Sequence, residues 1–213
     1  RACLIKPPCL IDTTINLRND SAQIDQAIRE ICAIIDVPAK KGKKAWEEAE
    51  KAQKKYELYL QAGNLPAGLT QLSGGFPIAL LGHGYNIYDA YINLGMIQKL
   101  RDLGATIWTK EMVSENVVNK FAGNLPKRMF WTFGKQLLGS GLYYLSNPQV
   151  KGMIFVASFG CGPDSMVGDL LERWARRENQ KPFMFITIDE HSGEAGLVTR
   201  LEAFMDMIKR RAS

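Results

Sequence analysis

The feature that most constrains the fold is a set of four short apolar runs, each separated from the next by a segment with helical spacing. The runs cover residues 76–81, 105–108, 152–158 and 182–188. Such runs are typical of strands buried on both faces, and strands that alternate with helices pair in parallel through right-handed crossovers. The sequence therefore predicts an α/β domain over residues 76–213, flavodoxin-like or Rossmann-like and three-layered, with strand order 2-1-3-4.

The helices around these runs are predicted from apolar residues at spacings of three and four. They cover residues 89–103, 114–121, 130–145, 164–177 and 195–209. The first is expected to bury Tyr91 and Ile92, and the fourth to bury Met166.

Residues 1–75 have a different pattern and are predicted to form a helical segment and linker. Ser21 is a plausible N-cap for a first helix, and Val37-Pro38 divides it from a second that ends near residue 62. The second helix is rich in lysine, which could suit phosphate or a membrane surface, but we favour a solvated face with Glu–Lys pairs. Gly63–Gly75 is rich in turn residues and marks the boundary.

Composition excludes several classes of protein. With 46% hydrophobic and 23% charged residues the chain is globular, and it contains no apolar run long enough to span a membrane. Its net charge of +5 permits acidic partners, but we expect neither nucleic acid nor a membrane among them. Four cysteines without a C-x-x-C motif exclude a disulfide scaffold and a self-contained zinc or iron–sulfur motif. Because the chain opens Arg1-Ala2-Cys3, we expect it to be a fragment of a longer protein.

Glycine-rich segments with reactive side chains follow three of the four predicted strands, at 82–86, 159–165 and 189–196. Both histidines of the chain, His83 and His191, lie in them. The carboxyl ends of parallel strands meet at one edge of a sheet, so these segments are expected to lie together there.

Cys161, in the second of these segments, has two interpretations. It is either a small buried hydrophobe or a thiolate that reacts or binds metal, favoured by the helix N-terminus that follows it. The flanking Gly160 and Gly162 suggest an anion-binding nest or a simple tight turn.

The third segment is dense in titratable groups. Asp189, Glu190, His191 and Glu194 favour acid–base chemistry, with capping of the last helix as the alternative.

Four stretches of these loops resemble the acyl-CoA dehydratase activase-related family, often described as activators of 2-hydroxyglutaryl-CoA dehydratase. They are GYNIYD at 84–89, LPKRMFW at 125–131, ASFGCGPDS at 157–165 and IDEHSGEAGLVTRLEAF at 188–204. The family is similar to the iron–sulfur component of 2-hydroxyacyl-CoA dehydratases. The resemblance is good over about residues 76–210 and loose over 1–75.

The resemblance implies an anaerobic, cytoplasmic iron–sulfur protein that works in low-potential electron transfer with an ATP-dependent activase domain or subunit, and with acyl-CoA as substrate. Cys161 would be one ligand of a [4Fe-4S] cluster whose other cysteines lie upstream of Arg1, since no motif supports Cys3 or Cys9. The isolated chain is expected to be inactive and to hold no intact cluster. Residues expected around the cofactor are Gly160, Gly162, Ser165, His83, Tyr85 and Asn86, and the expected catalytic or proton-handling residues are His191, Glu194 and Asp189.

A second hypothesis needs no cluster. The same edge would hold CoA, a phosphate group or a partner protein, and Cys161 would be structural. No phosphate-binding loop of the ATPase type is present in the sequence, so ATP hydrolysis by the chain itself is not expected.

Overall fold

The computed structural model describes residues 8–17, 21–125, 127–179 and 181–212, with only the backbone for 178, 179 and 212. Cys3 and Pro126 of the sequence predictions lie outside the described residues. The chain divides into two compact units, one up to Leu58 and one from Tyr59 onward. None of the helices described combines the length and apolar character needed to cross a membrane.

The predicted pair of N-terminal helices is confirmed as α1 (Ser21–Ile34) and α2 (Ala39–Gln61). Gly42 of α2 sits against the Cys32 sulfur of α1, at a position where a Cβ atom would collide with it. The lysine-rich face of α2 is exposed, and Lys51 Nζ pairs with Glu48 Oε1 at 2.9 Å. These features support the interpretation of this face as a solvated surface.

The second unit is built on four parallel strands in the order β2-β1-β3-β4, which confirms the predicted α/β class and strand order. The strands are β1 (Phe76–Gly82), β2 (Ala105–Trp108), β3 (Gly152–Ser158) and β4 (Phe183–Ile188). β1 and β3 form the centre, with Ile78 opposite Gly152 and Leu81 opposite Phe155. Both central strands are buried over most of their length, as their apolar sequences require.

Six helices complete this unit. They are α3 (Gly84–Tyr88), α4 (Met96–Asp102), α5 (Glu115–Gly123), α6 (Thr132–Ser146), α7 (Gly162–Trp174) and α8 (Glu194–Ala212). A 3-10 turn covers Lys110–Met112, and a π-helical turn covers Ala175–Asn179.

Alternate residues of the strands enter two separate hydrophobic cores. On one face Ile78 and Ile154 pack with residues of α4 and α8, such as Leu100 and Leu201. On the other face Ala79 and Phe155 pack with residues of α5, α6 and α7. The period of two that a strand imposes on its side chains therefore produces the predicted three layers.

The predicted helix over 89–103 is wrong in its first half, because polar side chains divert the backbone. Asp89 Oδ1 accepts hydrogen bonds from the backbone N–H groups of Tyr91 and Ile92, at 2.9 and 3.1 Å. Asn93 Oδ1 accepts one from the Met96 N–H at 3.1 Å, and the φ angles of Leu94 and Gly95 are +56° and +71°. The chain forms turns here and α4 begins only at Met96.

The turn also reverses the expected burial, since Tyr91 is 92% exposed instead of packing inward and Ile92 is 37% exposed. Met166, expected to face inward on α7, is 55% exposed. Phe130 precedes α6 instead of starting it and is 87% exposed.

A partly buried carboxylate, Glu111, ties the end of β2 to α3. Its Oε2 accepts a hydrogen bond from the Tyr88 hydroxyl at 2.7 Å, and its Oε1 pairs with Lys110. Burial by itself would raise the pKa of Glu111, but the Lys110 charge and the hydrogen bonds from Lys110 and Tyr88 hold it below its usual value.

We expect Glu111→Gln to destabilise the chain at neutral pH by about 1–2 kcal/mol. A carboxyl group whose pKa is lower in the folded chain stabilises it above the unfolded-state pKa, and this contribution disappears as the pH falls through the folded-state pKa. The difference from the wild type, measured by urea unfolding, should therefore shrink on acidification below the ordinary glutamate pKa of 4.5. Glu190→Gln, at a side chain that is 80% exposed, is the control and should show no such trend.

A second prediction concerns the close packing of α5 on α6. A Cβ atom at Gly139 of α6 would lie 2.5 Å from the Val118 carbonyl oxygen, which cannot move without moving α5. Gly139→Ala should lower the free energy of unfolding by about 1–3 kcal/mol. Gly123→Ala, where a Cβ atom meets nothing within 4 Å, should be neutral or stabilising. Equal stability of the two variants would contradict the prediction.

Candidate functional site

The strand order of the sheet reverses between β1 and β3, so the loops that follow these two strands lie side by side at its carboxyl edge. The loop after β1 carries His83, Tyr85 and Asn86, and the loop after β3 carries Cys161 and Asp164. Ligands of open α/β sheets collect at such a reversal point, which makes this edge the candidate site.

His83 and Asp164 form the best-defined contact of this edge. Nε2 of His83 lies 3.0 Å from Oδ1 of Asp164, with side chains 18% and 1% exposed. Tyr85 stacks on the imidazole with ring centroids 5.4 Å apart, and Phe133 of α6 meets it edge-on at 5.7 Å. The stacked contact with Tyr85, the edge contact with Phe133 and the contact with Asp164 together fix the orientation of the His83 ring.

Cys161 is half-buried and occupies the N-cap position of α7. Gly160 has a φ of +77°, and the Cys161 N–H donates to the Ser158 carbonyl at 3.1 Å, so the glycines make a tight turn. The Ser165 hydroxyl donates back to the Cys161 carbonyl at 2.9 Å. At Gly162, the first residue of α7, a Cβ atom would meet no atom within 4 Å apart from its chain neighbours, so this position is open.

The start of α7 does not by itself lower the pKa of the Cys161 thiol. Burial raises the pKa of the thiol, the backbone N–H of Asp164 lowers it, and the negative charge of Asp164 raises it again. The pKa of the Cys161 thiol lies above its ordinary value because burial and the Asp164 carboxylate together outweigh the backbone hydrogen bond.

His83, Cys161 and Asp164 come together closely enough to share a ligand. One nitrogen, sulfur or oxygen atom from each lies within 4.8 Å of the others. Nitrogen, sulfur and oxygen donors at this separation are a donor set for a transition-metal ion.

Two buried polar atoms at this edge have no hydrogen-bond partner. They are Oδ2 of Asp164 and Nδ2 of Asn86, and the described side chains contain one further such atom, Arg101 Nε. Asn86 is fully buried, and its Oδ1 accepts a hydrogen bond from Ser158 Oγ at 2.9 Å. The site therefore contains one buried acceptor and one buried donor without a hydrogen-bond partner. Buried polar groups in proteins normally have one.

The polar groups after β4 bond within their own loop or to Lys99 of α4. Asp189 Oδ1 accepts from the His191 N–H at 3.0 Å and from Ser192 Oγ at 2.8 Å. Glu194 Oε1 lies 2.8 Å from Lys99 Nζ, and this contact lowers the pKa of the Glu194 carboxyl. His191 is 83% exposed and contacts Glu190 at 3.5 Å. Neither Asp189, His191 nor Glu194 belongs to the group formed by His83, Cys161 and Asp164.

Asp189 and Glu194 instead line a cleft of about 830 Å³ between this loop and the turn that precedes α4. Tyr91, Lys99 and Ser158 also line it. Ser158 contacts both regions, since its hydroxyl binds Asn86.

Asp164 is the site residue that the sequence did not single out. An aspartate in the first turn of a helix is common, because it stabilises the helix dipole. Only the burial of Asp164 and its contact with His83 distinguish it from such a residue.

The fold and the site define an α/β protein whose candidate ligand site lies at the reversal point of a parallel sheet. A family model described as CoA enzyme activase uncharacterised domain (DUF2229) matches residues 5–113, and the chain belongs to this family. The match confirms the predicted resemblance to an acyl-CoA dehydratase activase-related family. It runs from the N-terminal unit through β2, includes His83, Tyr85 and Asn86, and ends before Cys161. No curated protein matches the chain.

The Ser158–Asn86 hydrogen bond gives a prediction about this edge. Ser158→Ala removes the donor to Asn86 Oδ1, which leaves both polar atoms of a fully buried side chain unpaired. The free energy of unfolding should fall by about 1–3 kcal/mol in denaturant titrations. Ser165→Ala removes a hydroxyl from an exposed position of the same edge and should change it by less than about 0.5 kcal/mol. A Ser158→Ala variant as stable as the wild type would show that Asn86 needs no such partner.

Proposed function

We propose that this chain serves a CoA enzyme activase system by contributing the Cys161 thiolate to a [4Fe-4S] cluster used in low-potential electron transfer to a 2-hydroxyacyl-CoA dehydratase. The observation that carries the proposal is the position of Cys161. It is a half-buried thiol at the reversal point of the sheet, beside His83 and Asp164, in a chain of the activase family.

Cys161 would supply one of the thiolate ligands of such a cluster. Four cysteine thiolates hold a typical [4Fe-4S] cluster. Of the other described cysteines, Cys9 is exposed and Cys32 is buried between α1 and α2, both in the N-terminal unit. The proposal therefore assigns the remaining ligands to a partner or to residues outside the described ranges.

A [4Fe-4S] cluster supplies one-electron transfer at a potential set by solvent exposure and by hydrogen bonds to its sulfurs. The chain's own residues provide this kind of control. The backbone N–H of Asp164 interacts with the Cys161 sulfur, and His83 holds the Asp164 carboxylate beside it. Donation to the sulfur stabilises its negative charge, whereas the neighbouring Asp164 carboxylate opposes it, so the two would shift the potential in opposite directions.

Exposed aromatic side chains surround this edge and support its covering by a partner. Tyr85, Phe133 and Phe159 are 52%, 61% and 75% exposed. We assign this surface to the ATP-dependent domain or subunit that delivers the electron, because closing over the edge would bring further ligands to Cys161 and exclude water. His191, Glu194 and Asp189 stay predictions as proton-handling residues toward the acyl-CoA substrate.

The cleft beside the β4 loop favours the second candidate function, binding of CoA or a phosphate group without a cluster. Its volume of about 830 Å³ lies in the range of small-molecule sites. Its one lysine, Lys99, already pairs with Glu194, which lowers the positive charge offered to a phosphate.

The cluster assignment predicts the outcome of anaerobic purification of the complete activase–dehydratase complex. Cys161→Ser should reduce the iron and acid-labile sulfide of the complex to the level left by its other clusters, because oxygen is a poor substitute for thiolate sulfur. Cys9→Ser is the matched control at an exposed cysteine and should leave both contents unchanged.

Iron and sulfide contents unaffected by Cys161→Ser would contradict the assignment. Calorimetric titration of the chain with acetyl-CoA then decides the alternative. Saturable binding that Cys161→Ser does not alter would favour the CoA-binding function, and absence of heat at two well-separated temperatures would exclude it.

A further inference from the structure

We propose that His83, Cys161 and Asp164 form a mononuclear site for a first-row divalent ion, with zinc the preferred occupant, in this chain alone. The three side chains offer one imidazole nitrogen, one sulfur and one carboxylate oxygen within 4.8 Å of each other. Three protein ligands of these types, with a fourth position open, are the pattern of catalytic zinc sites.

The buried Asp164 carboxylate is the observation that points to a cation. The side chain is 1% exposed, and His83 contacts only its Oδ1. Its Oδ2 is buried without a hydrogen-bond partner. A buried carboxylate oxygen without a partner is destabilising, and a coordinated metal ion supplies the missing positive charge.

The fold holds these ligands before any ion binds. Cys161 and Asp164 are three residues apart at the start of α7, so they lie at the same end of that helix. The pairing of β1 with β3 places the loop of His83 beside this helix end, and Tyr85 and Phe133 fix the ring. A site built on packed elements binds its ion without ordering a loop first.

The ligand types determine which ion fits. Thiolate and imidazole favour Zn²⁺, Co²⁺ and Fe²⁺, whereas Mg²⁺ and Ca²⁺ require oxygen-rich shells. A tetrahedral ion held by three side chains keeps one position for water or for an oxygen atom of a substrate carbonyl.

This site does not rest on the proposed cluster, since it requires only residues of this chain and neither sulfide nor a partner. It uses the same sulfur atom. A chain with zinc on Cys161 therefore cannot at the same time offer that thiolate to a cluster, and the two metal-bound states exclude each other.

The test is titration of the reduced, chelator-treated chain with Co²⁺ under anaerobic conditions. We expect one equivalent to bind, with a thiolate-to-cobalt charge-transfer band in the near ultraviolet, and Zn²⁺ to displace it while Mg²⁺ does not. Cys161→Ser should abolish the band, and His83→Gln and Asp164→Asn should each weaken binding at least about 100-fold.

The chain supplies matched controls for two of the ligands. Cys9→Ser and His191→Gln remove an exposed cysteine and the exposed second histidine, and both should bind Co²⁺ as the wild type does. Circular dichroism shows which variants fold. If Asp164→Asn does not fold, His83→Gln and the wild-type spectrum decide.

A folded wild-type chain without the charge-transfer band overturns the inference. So does a band that Cys161→Ser removes while His83→Gln leaves the affinity unchanged, because that result describes a lone thiol binding metal. Iron loss from the complex on Cys161→Ser, together with no Co²⁺ binding by the chain, would leave the proposed function intact and refute this site.

Discussion

The parallel pairing of β1 with β3 is the interaction on which the rest of the second unit depends. The two strands run side by side from the Ile78–Gly152 pair to the Gly82–Val156 pair. Their alternating side chains form the centres of both hydrophobic cores. The same register places His83 next to the start of α7, so the packing that stabilises the sheet also assembles the candidate site.

The strands of the sheet could be predicted from the sequence, whereas the backbone turn before α4 could not. The four strands and their order follow from apolar runs such as 152–158. A short, continuously apolar run between helical segments is typical of a strand that is buried on both faces of a parallel sheet. The turn before α4 does not follow, because Tyr91, Ile92 and Leu100 have helical spacing. There the hydrogen bonds that the Asp89 and Asn93 side chains accept determine the backbone conformation. Hydrophobic periodicity does not reveal that such side-chain hydrogen bonds compete with helical ones.

The candidate site shows the same division. The predicted strand order places the loops after β1 and β3 at one edge of the sheet, as the structure confirms. Loops at the same edge do not necessarily have side chains in contact. β4 lies one strand further from the reversal point. The turn of the loop after it is stabilised by a hydrogen bond between the Asp189 and Ser192 side chains. His191 is consequently exposed, and Glu194 pairs with Lys99 of α4. Contact at this edge depends on loop conformation, which the sequence pattern leaves open.

Glu111 and Asp164 are both poorly exposed carboxylates of this unit, and a comparison of the two shows why Asp164 indicates a ligand. Glu111 is 23% exposed, and both of its oxygens have partners, Lys110 and the Tyr88 hydroxyl. Asp164 is 1% exposed; His83 contacts its Oδ1, the Cys161 thiol also interacts with the carboxylate, and Oδ2 has no hydrogen-bond partner. A side chain that only capped α7 needs one hydrogen bond to a backbone N–H of the first turn and does not need its second oxygen to be buried. The arrangement of Asp164 beside Cys161 is instead the one expected when a positively charged ligand completes the site.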